Sequence, residues 1–285
     1  MAQKRGCDLR HIFITGDITD SGRVSEWGEF LDILGEYPQL KSRTLFVPGN
    51  HDLNIPDRNN PARTDMAFSW TRAMRQIRAL KAMCEVQGDR VFTVNDDGSA
   101  GATLEAFLKT IDVATVLDAY TSCSPDAGEM SIGQVWEKVF PLSVFPTDDQ
   151  KYGVVLLDSN AEASFSFTNA LGSISELQAK KFRNLIAMHK DYTWIVLLHH
   201  HVTEVGLGQA STTERLGTIL TNPNKILTPL INATHSTSII LHGHRHVEWF
   251  GASGERNKVT VISAASSCLG GAYDRISEPV VNCFE

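Results

Sequence analysis

A layered α/β fold built on parallel strands is predicted by three observations. Five short apolar runs, rich in β-branched residues, each stop at a residue with a lone pair to offer. Residues 12–15 run into Gly16-Asp17, 44–47 into Pro48-Gly49-Asn50-His51-Asp52, and 154–157 into Asp158-Ser159-Asn160. Residues 195–198 run into His199-His200-His201, and 239–241 into His242-Gly243-His244-Arg245-His246. Helical patterns alternate with these runs, as parallel crossovers require. A hydrophobic content of 42% over 285 residues is enough for a large core. In layered α/β proteins ligands gather outside the carboxyl ends of strands, so the recurrence points to one site.

Taken in order, Met1 to Arg10 is polar and leads straight into the first strand. Ile18 to Gly22 is turn-rich. Ser25-Glu26-Trp27 opens a helix with Trp27, Phe30, Leu31 and Leu34 on one face, stopped by Gly35 and Pro38. With the strand at 44–47 this makes a β-α-β unit, hence a parallel pair. Residues 54–64 read as a loop.

A helix follows with Trp70, Met74, Ile77, Leu80 and Cys84 as its apolar stripe. Arg72, Arg75, Arg78 and Lys81 line another side, read as a solvated face in preference to a phosphate-contact face. Asp96-Asp97-Gly98 marks a hairpin turn. Further helices are predicted from Leu104 to Tyr120 and around Val135-Trp136. Residues 56–150 hold no strand that ends in a ligand, so the stretch reads as a helical insertion or cap.

Beyond it, Ser173-x-x-Glu176 has the spacing of a capping box before a helix carrying Leu177, Phe182, Leu185 and Ile186. Residues 209–229 form a polar connection with a turn at Asn222-Pro223-Asn224. Lys258 to Ile262 is a last strand, expected in a second sheet.

Twenty-six Lys and Arg against 33 Asp and Glu leave a net charge of −7. That is a poor footprint for general nucleic-acid binding, but a local metal charge still permits a small anionic substrate. The five cysteines are odd in number, widely spaced and without a CxxC, which points to free thiols in a reducing, cytoplasmic setting. No apolar run approaches the ~20 residues that span a bilayer, and no secretory signal is evident. Oligomeric state and substrate identity have no readable code.

Asp17, Asn50, His199, His244 and His246 supply one carboxylate, one amide oxygen and three imidazoles. This mixed set suits Zn, Mn, Fe or Co and not a Ca or thiolate site. Gly16-Asp17, Gly49-Asn50-His51-Asp52, His199-His200 and Gly243-His244-Arg245-His246, in this order and strand context, resemble the signature of the calcineurin-like metallophosphoesterases. The resemblance covers about 12–263, the insertion excepted. It implies an αββα sandwich over 1–285, with a helical insertion at 56–150, and a hydrolase of phosphoric mono- or diesters. It implies two divalent or trivalent metal ions, bridged by Asp17. Asn50, His199 and His244 complete one set, and His246 belongs to the other. Metal-bound hydroxide attacks phosphorus, His51 protonates the leaving oxygen, and Asp52 orients the His51 ring. His200 and His201 read as pocket neighbours, as do Asp158 and Asn160.

The family's first motif, Asp-x-His, has no match between Met1 and Thr15. The expectation is therefore a chain that is N-terminally incomplete, possibly C-terminally too, without its first strand. It would hold at most one metal tightly and hydrolyse poorly. The competing reading is a non-catalytic metal- or ligand-binding module that keeps the fold. The insertion is expected to pack as a cap beside the cleft.

Overall fold

The computed structural model of the chain describes residues 10–54, 70–112, 132–160, 171–203, 219–233, 235–245, 248–253 and 258–264. The smaller of its two sheets is a parallel pair, β1 (Ile12–Ile14) and β2 (Thr44–Phe46), with Phe13 opposite Leu45. The larger sheet is built from β3 (Phe92–Val94), β4 (Ala100–Thr103), β5 (Leu142–Val144), β6 (Tyr152–Leu156), β7 (Thr193–Leu197), β8 (Ser238–His242), β9 (Trp249–Ser253) and β10 (Val259–Ser263). Its spatial order is β4-β3-β5-β6-β7-β8-β10-β9. The stretch β6-β7-β8-β10 is parallel, and the strands outside it join antiparallel.

Strand alternation sorts the core into two layers. Val154, Leu156 and Leu197 pack with Leu45 and Phe46 of the small sheet. Val155, Val196 and Leu198 face the other way, onto Phe182, Leu185 and Ile186. The first layer is closed by α1 (Val24–Gly35) and α4 (Trp70–Gln87), through Trp27, Ile77, Leu80 and Met83. The second is closed by α7 (Glu176–Met188) and α8 (Asn224–Ala233), the latter through Ile226 and Leu230. The result is the expected helix–sheet–sheet–helix sandwich. Short helices α2 (Pro38–Lys41), α3 (Asn50–Leu53), α5 (Leu104–Lys109) and α6 (Ile132–Val139) complete the described elements. No helix among the described residues is long and apolar enough to cross a membrane.

Four expectations need correction. The stretch 56–150 is not a helical cap in its described part. It contributes β3, β4 and β5 to the large sheet, and α4, α5 and α6 bury Met83, Leu104 and Trp136 in the same core as Phe46. Strands of three or four residues are too short for a period to register, although the Asp97-Gly98 turn between β3 and β4 is where the sequence puts it, with Gly98 at φ 93°. Residues 113–131, which include the second half of the helix expected to run to Tyr120, lie outside the described residues. Second, β10 lies in the large sheet between β8 and β9, not in a second one. Third, the cap of α7 is Ser175, whose Oγ accepts from the Gln178 N–H at 3.2 Å, two residues after the expected Ser173. Fourth, α8 starts at Asn224 and contains Pro229, so burial of Ile226 and Leu230 outweighs the proline's helix-breaking tendency.

Candidate metal centre

The site lies where β1, β2, β7 and β8 end. After β1, Gly16 (φ 101°) and Asp17 (φ 54°) both adopt the left-handed region. Glycine enters it freely, and a short polar side chain such as Asp enters it more readily than most. The turn brings two loops together backbone to backbone. A Cβ on Gly16 would lie 2.7 Å from both Gly49 Cα and His199 Nδ1, and one on Gly49 would strike Asp17 Oδ1. The Asp17 carboxylate lies over this glycine and accepts from the His51 N–H at 2.9 Å.

His199 follows β7 and is 1% exposed. Its Nδ1 faces the Thr15 carbonyl at 2.7 Å, which requires that nitrogen to carry the proton. Its Nε2 then sits 2.9 Å from Asn50 Oδ1, 3.0 Å from His244 Nδ1 and 3.3 Å from Asp17 Oδ2. One ligand atom from each of Asp17, His199 and His244 falls within a 4.8 Å group. His244 too is held in the left-handed region, at φ 76°. Strained non-glycine backbone of this kind concentrates at functional sites.

The donor chemistry fits a cation. With Nδ1 protonated, a neutral His199 would turn a lone pair on Nε2 towards an amide oxygen and a carboxylate. That arrangement repels itself unless positive charge lies there. Without a cation the charge falls on the imidazole. Burial opposes it, but Asp17 and the Thr15 carbonyl outweigh burial and raise the His199 pKa. In turn His199 outweighs the burial of Asp17 and holds its carboxyl well below the usual range. His246 lies outside the described residues.

Asp52 does not do what was expected of it. Its oxygens accept from the N–H groups of Thr19 (2.8 Å), Gly49 (2.8 Å) and Ile18 (3.3 Å) and from Thr19 Oγ1 (2.7 Å). It is a clasp between the β1 and β2 loops. Burial, with the charge of Asp17 added, pushes its pKa up to about 6 against these hydrogen bonds. The His51 ring is instead oriented by Asp20: Nδ1 donates to the Asp20 carbonyl at 3.0 Å, and the Asp20 carboxylate is 3.6 Å away. Asp52 is adjacent to His51 in sequence, but the helical turn at Asn50–Leu53 sends the two side chains to different partners.

The neighbours are also resolved. His200 packs against the rings of His199 (5.0 Å) and His244 (4.7 Å). The His201 ring packs against that of His242, tilted by 51° with centroids 4.2 Å apart. Burial pulls the pKa of His201 down to about 2 and of His242 to about 4, so both are neutral. Arg72 and Arg75 are 5% and 4% exposed, which overturns the solvated-face reading for these two, while Lys81 is exposed as expected. The Arg75 stem lies against Gly22, whose carbonyl accepts from Arg78 Nη1 at 3.1 Å, and the Arg72 charge acts on Asp158. Sequence reasoning missed Thr19, Asp20 and Ser159, whose partners lie 31 or more residues away.

A family model described as calcineurin-like phosphoesterase matches residues 8–248. No curated protein matches the chain.

Proposed function

Because the chain belongs to the calcineurin-like phosphoesterase family, we propose that it hydrolyses phosphoric mono- or diesters at a centre for two metal ions, with His51 as general acid. The observation that supports this most is the convergence of Asp17, Asn50, His199 and His244 on one point. These four would hold one ion, and Asp17 with His246 would contribute to the other. Oxygen and imidazole donors suit Mn, Fe, Zn or Co. Such ions, when bound, draw charge from the phosphoryl oxygens and make water nucleophilic near neutral pH.

The chain's own residues supply the rest. His51 is anchored through Nδ1, which leaves Nε2 to meet the leaving oxygen and give it a proton. Its side chain is 25% exposed, so a substrate can reach it. Asp52 keeps the two loops in register. The substrate class is a small anionic phosphoester, drawn by local charge, since the chain as a whole is acidic.

The test is release of p-nitrophenolate from bis(p-nitrophenyl) phosphate and p-nitrophenyl phosphate with added Mn(II). Metal-stimulated turnover is expected, falling ~100-fold or more in His51→Ala, with Mn(II) binding retained. Turnover indifferent to metal, or unchanged in that variant, contradicts the assignment. Tight Mn(II) binding with no turnover on any phosphoester favours the binding-module reading.

A further inference from the structure

The strand β6 is followed by Asp158-Ser159-Asn160, three buried residues that supply none of the proposed ligands. Each nonetheless grips a neighbouring segment. Ser159 Oγ accepts from the N–H groups of His199 (3.1 Å) and His200 (3.2 Å). The same hydroxyl lies 2.9 Å from His200 Nδ1, to which it can give its proton. One donor and two acceptor sites are then all engaged. Asn160 Nδ2 donates to the Pro48 carbonyl at 2.9 Å and to Asp158 Oδ1 at 2.8 Å. Both partners are acceptors, so the orientation of the amide is settled. Pro48 is two residues before Asn50.

Asp158 is itself fully held. Its Oδ2 accepts from Trp136 Nε1 at 2.5 Å, and its Oδ1 accepts from the Asn160 N–H at 3.0 Å as well as from the Asn160 amide. Gln178 brackets its backbone, accepting from the N–H at 2.9 Å and donating to the carbonyl at 2.8 Å. Both carboxylate oxygens of Asp158 are engaged by protein donors. Trp136 comes from α6, within the stretch that the sequence suggested was a separate cap.

We infer that Asp158, Ser159 and Asn160 form a non-ligating clamp that positions the His199 loop and the Asn50 loop against each other, and that α6 braces the clamp through Trp136. The inference rests on the metal-centre reading above. A metal site gains affinity when its donors are already placed, and outer partners of ligands commonly matter ~10–100-fold. The two loops come from strands in different sheets, so no backbone ladder holds them in register. The clamp does so from a third strand. All three are positioning residues.

The test is titration of the full chain with Co(II), whose visible spectrum reports ligand geometry. Wild type is compared with Ser159→Ala, Asn160→Ala and the milder Trp136→Phe, which keeps an aromatic ring and removes the donor together with part of the indole. Ser143→Ala is the control. It deletes another fully buried hydroxyl, which donates to the Val154 carbonyl at 3.0 Å away from the site. Ser159→Ala and Asn160→Ala should weaken Co(II) ~10-fold or more and alter its spectrum, with a smaller shift for Trp136→Phe. Ser143→Ala should lower the melting temperature and leave Kd and spectrum unchanged. If wild type binds Co(II) and the clamp variants bind it as tightly with the same spectrum, the clamp is wrong and the metal centre stands. If Ser143→Ala weakens Co(II) equally, the effect is general destabilisation and the clamp is again wrong. If folded wild type shows no Co(II) spectrum, the metal-centre reading fails and takes the clamp with it.

Discussion

Gln87 completes β2 as a neighbouring strand would: its Oε1 accepts from the Phe46 N–H at 2.7 Å and its Nε2 donates to the Phe46 carbonyl at 3.1 Å. Gln178 does the same for Asp158 just after β6. Both pairs are buried, so neither backbone group has water as an alternative. Gln87→Leu strands one donor and one acceptor and is expected to cost ~2–4 kcal/mol. Urea denaturation reads this directly. A loss below ~1 kcal/mol would mean that the edge finds other partners.

The division of labour between Asp52 and Asp20 separates two variants. Asp52→Ala leaves buried N–H groups of Thr19 and Gly49 without acceptors. A loss of ~3 kcal/mol or more is expected in thermal unfolding. Asp20→Ala keeps the backbone carbonyl that holds His51, and should stay within ~0.5 kcal/mol of wild type. Equal stability of the two variants would contradict the clasp.

Gly49 has no room for a side chain. A methyl group there collides with Asp17 Oδ1. Gly49→Ala is expected to turn that carboxylate aside and weaken Mn(II) binding ~10-fold or more, by analogy with other disturbances around ligands. Isothermal titration measures it. Undiminished affinity would show that Asp17 is not a ligand.

Lys181 is buried on α7, with its ammonium 3.4 Å from the Lys138 carbonyl. Burial lowers its pKa below the unfolded value of 10.5. Below the folded pKa both states are charged, and the desolvation penalty applies in full. Between the two pKa values the unfolded chain binds more protons, so stability rises with pH. Above 10.5 both are neutral and the penalty is gone. Lys181→Met should therefore stabilise the fold by ~1 kcal/mol at neutral pH, with the gain shrinking as pH climbs towards 10.5. Melting temperatures of both proteins from pH 7 to 10 test the size and the sign. A gain that grows with pH would reverse the argument.

What the sequence by itself determined was local and periodic. The apolar strand runs at 12–15, 44–47, 154–157, 195–198 and 239–241, the amphipathic stripes of α1 and α4, and the polar residues at strand ends are all legible. Each rests on residues a few positions apart. Convergence of Asp17, Asn50, His199 and His244 was also foreseeable, because strands of one layered fold bring their carboxyl ends to the same side. Partnership was decided only in three dimensions. The exposure of Arg72, the acceptor for His51, the entry of β3 to β5 into the large sheet and the reach of Asn160 to Pro48 all depend on segments that meet through the chain's course. Asn160 and Pro48 are 112 residues apart, and His199 and Thr15 184. A hydrophobic period says which face a residue turns inward. It carries no information on which segment occupies the space that face turns towards, since burial is non-directional while a hydrogen bond needs one particular atom at one distance.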